Sequence, residues 1–156
     1  MGHDLEREIK AHRIRTVINL QGPSPDSPWY RDELAVSQRA GVTHYDVPLS
    51  DNKLPPPDRL KALFGILDSA SYPILIHCKA GADRSGLVGA LYLAAYKGVP
   101  PRDAVDAQLT WRYGHMPIGR AVAMDRFFDL YFRTNDGLGL REWTVSRYPA
   151  LYLTNR

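Results

Sequence analysis

A chain of 156 residues with a net charge of +3, 44% hydrophobic residues and one cysteine has the length of one domain and enough apolar material for a core. It has no apolar run near the 18 residues of a membrane span and no signal-peptide apolar core, and position 6 is not the Ser or Thr of a myristoylation site; its basic residues alternate with acids (Asp4, Glu6, Arg7, Glu8, Lys10) instead of forming a nucleic-acid patch. A lone cysteine excludes an internal disulfide and fits a reducing compartment, so the expectation is a cytoplasmic protein with no integral membrane segment and no nucleic-acid partner.

In chain order, residues 3–13 read as a polar helix with a thin apolar stripe, and Arg15 to Leu20, rich in β-branched residues, as a strand. Residues 21–28 hold three prolines and a glycine and must be a loop. A helix is expected from Trp29 to Gly41, a second strand from Thr43 to Pro48, and a loop from Leu49 to Leu54. Pro55, Pro56 and Pro57 with Asp58 open a helix whose Leu60, Leu63, Phe64 and Leu67 fall on one face. The apolar run Tyr72 to Ile76 predicts a buried strand, and Leu87 to Tyr96, apolar on nearly every face, a buried helix ended by Gly98 and Pro100. Amphipathic helices follow over 101–113 and 119–134, with a last short one from Leu140 to Tyr148. Strands alternating with helices predict an α/β fold: a mostly parallel central sheet flanked by helices.

Between the third strand and the buried helix lies His77-Cys78-Lys79-Ala80-Gly81-Ala82-Asp83-Arg84-Ser85-Gly86. A loop joining a strand to a helix N-terminus aims backbone N–H groups at one point, which makes an anion site at the carboxyl end of the sheet. A cysteine ringed by those donors and near a guanidinium should be a thiolate at neutral pH. Arg84 can hold two oxygens of a phosphate in the same cradle. The plainer alternatives are a buried structural thiol for Cys78 and a structural ion pair for Arg84.

His-Cys-x5-Arg-Ser resembles the signature loop of the cysteine-based protein tyrosine and dual-specificity phosphatases, matching it at Cys78, Gly81, Arg84, Ser85 and Gly86. The resemblance implies a phosphatase fold of dual-specificity size, as one domain over 1–156. The family's first strand, which usually precedes the first helix, is then missing or trimmed away. It implies hydrolysis of phosphate monoesters through a phosphocysteine on Cys78, with the loop from Lys79 through Ala80, Gly81, Ala82 and Asp83 to Arg84 binding phosphate. Ser85 takes the position whose hydroxyl bonds the cysteine sulfur, a place equally suited to the first turn of a helix. His77 takes the position that braces the loop.

The family's general acid is an Asp on the loop after the preceding strand. Asp51, 27 residues before Cys78, stands on such a loop, although an Asp there also suits a turn. Asp46, inside a strand, and Asp83, in the loop beside Arg84 and expected to point outwards or into an ion pair, are rivals. His115 lies between late helices; a structural or surface role is favoured over one lining the site. No His, Asp or Glu set has metal spacing, so neither a metal nor another cofactor is expected. The expected substrate is a phosphorylated protein, phosphotyrosine first. A phosphoinositide or inositol phosphate is the variant that Lys79 invites and Asp83 resists, and a phosphate-binding module without turnover is the alternative from another class.

Overall fold

The structure is a computed structural model describing residues 2–116 and 122–156. Its elements are α1 (Gly2–His12), β1 (Thr16–Asn19), α2 (Pro28–Arg39), β2 (Thr43–Asp46), α3 (Pro57–Ser69), β3 (Ile74–His77), α4 (Asp83–Tyr96), α5 (Pro101–Gln108), a 3₁₀ turn (Trp111–Tyr113), α6 (Val122–Thr134), α7 (Leu140–Ser146) and α8 (Tyr148–Asn155). Pro28, Pro57 and Pro101 each open a helix, where the missing N–H would have had no partner anyway.

The three strands form one parallel sheet in the order β2-β1-β3. Asn19 of β1 is in register with Asp46 of β2 and His77 of β3, so all three strands end at one level. Every residue of central β1 is buried. Strand alternation sends Val17 to one face, against Ile9, Ile14, Val36 and Val42 of the α1–α2 layer and its flanks. Ile18 faces the other side and joins the main core with residues from α3 through α8. The expected sheet flanked by helices is what the chain forms.

Three helix boundaries differ from expectation. Helix α4 begins at Asp83, four residues early, taking Arg84 and Ser85 into its first turn. The helix expected over 101–113 stops at Gln108: Leu109 leaves helical geometry, Thr110 Oγ1 caps the 3₁₀ turn by accepting from Arg112 N–H, and Gly114 closes it at φ 82°. The last helix is two helices, α7 and α8, with Pro149 in the first turn of α8. The start expected for α6, residues 119–121, lies outside the described residues.

Helices α6 to α8 close the core around Trp143. Its ring meets Phe127, Tyr131 and Tyr148 at centroid distances of 5.6, 5.3 and 5.2 Å, and its Nε1–H donates to Thr134 Oγ1 at 3.0 Å. The buried Tyr148 hydroxyl donates to the Pro55 carbonyl at 2.8 Å, pinning the end of the loop that follows β2. Trp143→Ala should therefore destabilise the fold by about 3–5 kcal/mol, read as a fall in the denaturant midpoint with unchanged slope.

Candidate active site

In the stretch HCKAGADRSG, His77 ends β3 and Asp83 begins α4, which leaves residues 78–82 as a tight turn. Gly81 sits at its apex with φ 71°, a left-handed conformation that a side chain would strain. Gly86 lets α5 approach: a Cβ there would lie 2.8 Å from Leu109 Cδ2 and 3.1 Å from the Gln108 carbonyl. The loop is thus held on one side by β3 and on the other by the end of α5.

Cys78 is buried at the start of this turn. Its Sγ accepts the Gly81 N–H at 3.2 Å and the Ser85 hydroxyl at 3.3 Å. Burial pushes the thiol pKa up, but hydrogen bonds from Ser85 Oγ and from the Ser85, Gly81 and Ala80 N–H groups outweigh it, and the net shift is downward. The N-terminus of α4 adds to the same preference for negative charge. A nucleophilic thiolate is the chemistry this geometry favours.

Arg84, half-buried in the first turn of α4, donates from Nη1 to the Leu49 carbonyl at 3.3 Å. That bond ties the start of α4, and with it the 78–82 turn, to the 47–56 connection carrying Asp51. Leu49 and Leu54 of this connection are buried, Asp51 is half-buried between them, and Tyr148 holds Pro55. The structure therefore brings the Asp51 loop and the Cys78 loop together through Arg84. Lys79, Ala80 and Gly81 are exposed at the mouth, and Ala82 is buried.

The two rival acids are engaged elsewhere. Asp46 accepts hydrogen bonds from the Tyr30 hydroxyl and from Asn19 Nδ2, which also reaches the Gly22 carbonyl. Asp83 takes the ion-pair option: its carboxylate meets His115 Nδ1 at 2.7 Å. His115 is itself only 2% exposed, and its Nε2 meets Asp125 of α6 at 3.1 Å. It is buried and bridges the first residue of α4 to α6. Among the described residues, no three of the His, Cys, Asp and Glu side chains are placed to hold a metal ion.

His77 leads to a residue that sequence reasoning missed. Its Nε2 lies 2.8 Å from Glu33 Oε1, and the same oxygen lies 2.8 Å from His44 Nε2. Burial raises the Glu33 pKa, but the two imidazole N–H donors and their charge hold it down at about 2. The signal was in α2: Tyr30, Glu33, Val36 and Ser37 form its buried face, and a carboxylate at helical spacing in an inward face requires a partner.

A parallel sheet whose strands end at a cysteine cradle, an arginine and an acid-bearing loop places the chain in the class of cysteine-based tyrosine and dual-specificity phosphatases. Residues 2–127 match the family PTP-SAK, the Swiss Army Knife protein, DSP-PTPase phosphatase domain, and the chain belongs to that family. It is 31% identical over 85 residues to the human dual specificity protein phosphatase CDC14C; the match covers 54% of this chain and 17% of that one. The chain is thus similar to a short part of its curated relatives. The fold is shared with Tk-PTP in its active form (TM-score 0.62, 22% identity, 83% of this chain and 86% of that one). It is shared too with a cysteine-to-serine variant of P. aeruginosa TpbA in complex with phosphotyrosine (TM-score 0.60, 19% identity, 86% and 81%).

Ser85→Ala removes the side-chain donor to Cys78 Sγ and leaves burial in place. The pH at which Cys78 becomes reactive to iodoacetamide should rise, and an unchanged midpoint would mean that the backbone donors suffice.

Proposed function

We propose that this domain hydrolyses phosphate monoesters through a phosphocysteine intermediate, with phosphotyrosine in a protein as the leading substrate and phosphoserine or phosphothreonine as further ones. The observation that carries this is the convergence of the Gly81 N–H and the Ser85 hydroxyl on Cys78 Sγ. Cys78 Sγ attacks phosphorus in line, forming the S–P bond as the P–O bond to the leaving group breaks. The N–H groups from Lys79 to Arg84 and the Arg84 guanidinium stabilise the charge on the equatorial oxygens. Asp51 gives its proton to the leaving oxygen, then accepts one from the water that attacks the phosphocysteine. Phosphate departs, and the Ser85 hydroxyl hydrogen-bonds the thiolate released.

Phosphotyrosine in the related fold of TpbA supports the substrate. One observation favours a phosphoinositide or inositol phosphate as second choice. Lys79 is exposed at the mouth, while the Asp83 carboxylate that would resist a polyanion is taken by His115. A phosphate-binding module without turnover is less well supported, since Cys78, Arg84 and Asp51 are all present. A sole cysteine used as a thiolate also suits the reducing cytoplasm. No helix of the described residues is long and apolar enough to cross a membrane.

Cys78→Ser should abolish turnover of a small aryl phosphate while phosphate still binds; activity within about tenfold of wild type would exclude the covalent route. Asp51→Asn should lower kcat by roughly 10²–10⁴ on phosphotyrosine and much less on an aryl phosphate with an activated leaving group. An equal loss across phenols of graded pKa would reduce Asp51 to a loop-shaping residue. Wild type, assayed against phosphotyrosine peptides and a phosphoinositide panel, should prefer the former.

A further inference from the structure

Glu33 is a buried carboxylate that the proposed reaction does not use. It projects from the middle of α2, 7% exposed, to where the outer strands flank β1. One of its oxygens accepts an imidazole N–H from each: from His44 of β2, level with Val17, and from His77 of β3, level with Asn19. Spanning the central strand in this way requires both rings to carry a proton on Nε2.

We propose that Glu33 is a positioning residue for the nucleophile: it staples the carboxyl end of β3, and with it Cys78, to α2 and β2. This rests on the reading of Cys78 as the nucleophile. His77 directly precedes Cys78 and is fixed from two directions, its backbone carbonyl by the Leu20 N–H at 2.9 Å and its ring by Glu33 at 2.8 Å. Cys78 Sγ in turn depends on two donors at 3.2 and 3.3 Å, so a small swing of the His77–Cys78 peptide weakens both at once. Without the carboxylate, His77 loses its side-chain anchor and the sulfur its alignment.

The surroundings make this role separable from a simple effect of charge. Glu33, His77 and Cys78 line one cavity of about 190 Å³ with Trp29, Leu75 and, from α1, Asp4, Leu5 and Glu8. Tyr30 of α2 and Asp46 of β2 lie beside the His44 end. Apart from the two histidines and the Cys78 thiol itself, the ionisable groups here are carboxylates and a phenol. As a bare negative charge Glu33 disfavours the Cys78 thiolate, whereas as a staple it favours it by keeping the sulfur on its donors. The two roles move the thiol in opposite directions.

The test uses the full chain as wild type, Glu33→Ala and Glu33→Gln. Two properties are followed: the pH dependence of Cys78 alkylation by iodoacetate, read by mass spectrometry, and kcat and KM for a small aryl phosphate. Glu33→Ala should move the alkylation midpoint to higher pH and cut kcat about tenfold or more, with KM changed less. Glu33→Gln, whose amide oxygen still accepts an imidazole N–H, should return both to within about threefold of wild type. An unchanged midpoint and kcat in Glu33→Ala, whatever its melting temperature, would overturn the proposal, and so would a midpoint moved to lower pH. Should Glu33→Ala not fold, long-range proton–nitrogen NMR correlations on wild type decide instead. His77 and His44 should both be protonated at Nε2, and a bare Nε2 on His77 would overturn the staple. Alkylation needs no turnover, so an inactive wild type would defeat the proposed function and leave this proposal decidable.

Discussion

The site depends on one constraint: three parallel strands end at a common level, and the sulfur of Cys78 is placed there against its hydrogen-bond donors. The register of Asn19, Asp46 and His77 fixes that level. The turn after His77 then has only five residues, 78–82, before α4 begins, so its N–H groups converge because there is no room for them to do otherwise. Burial alone would make Cys78 an inert thiol. It is the donors, above all the Ser85 hydroxyl and the Ser85 N–H, followed by the Gly81 and Ala80 N–H groups, that reverse the sign.

The rest of the molecule keeps this turn from relaxing. Arg84 reaches across to the Leu49 carbonyl, Tyr148 holds Pro55, and the packing of Gly86 against Leu109 brings α5 close. His115 joins Asp83 to Asp125 across the connection from α5 to α6. Asn19, Glu33 and His115 are buried polar groups beside the site, and each is hydrogen-bonded. Oriented donors must themselves be held by further hydrogen bonds.

Much of this was legible in the sequence. β-branched residues located β1, an apolar run located β3, and one cysteine with an arginine six residues later located the loop between β3 and α4. The family resemblance pointed to the loop after β2, and the structure places that loop against Arg84. What the sequence did not show was tertiary. Helix α4 starts at Asp83, ahead of the apolar run at Leu87, and takes Arg84 into its first turn together with Ser85, which suits that place. The split between α7 and α8 falls at Arg147, with Pro149 in the first turn of α8 as its local signal. Asp83 had two open fates, and His115, distant in sequence, decided between them. The Glu33 bridge was invisible because each partner lies on a different element; only the carboxylate on the buried face of α2 hinted at it.

The central claim is that Cys78 Sγ is the atom to which the phosphoryl group is transferred. The most direct measurement is to denature the protein during turnover of a phosphotyrosine peptide carrying radiolabelled phosphate and to map the label by mass spectrometry. The account predicts label on the peptide containing Cys78, bound through sulfur, and none in Cys78→Ser. Label on any other residue, or continued turnover with no labelled protein under conditions that preserve an S–P bond, would contradict it.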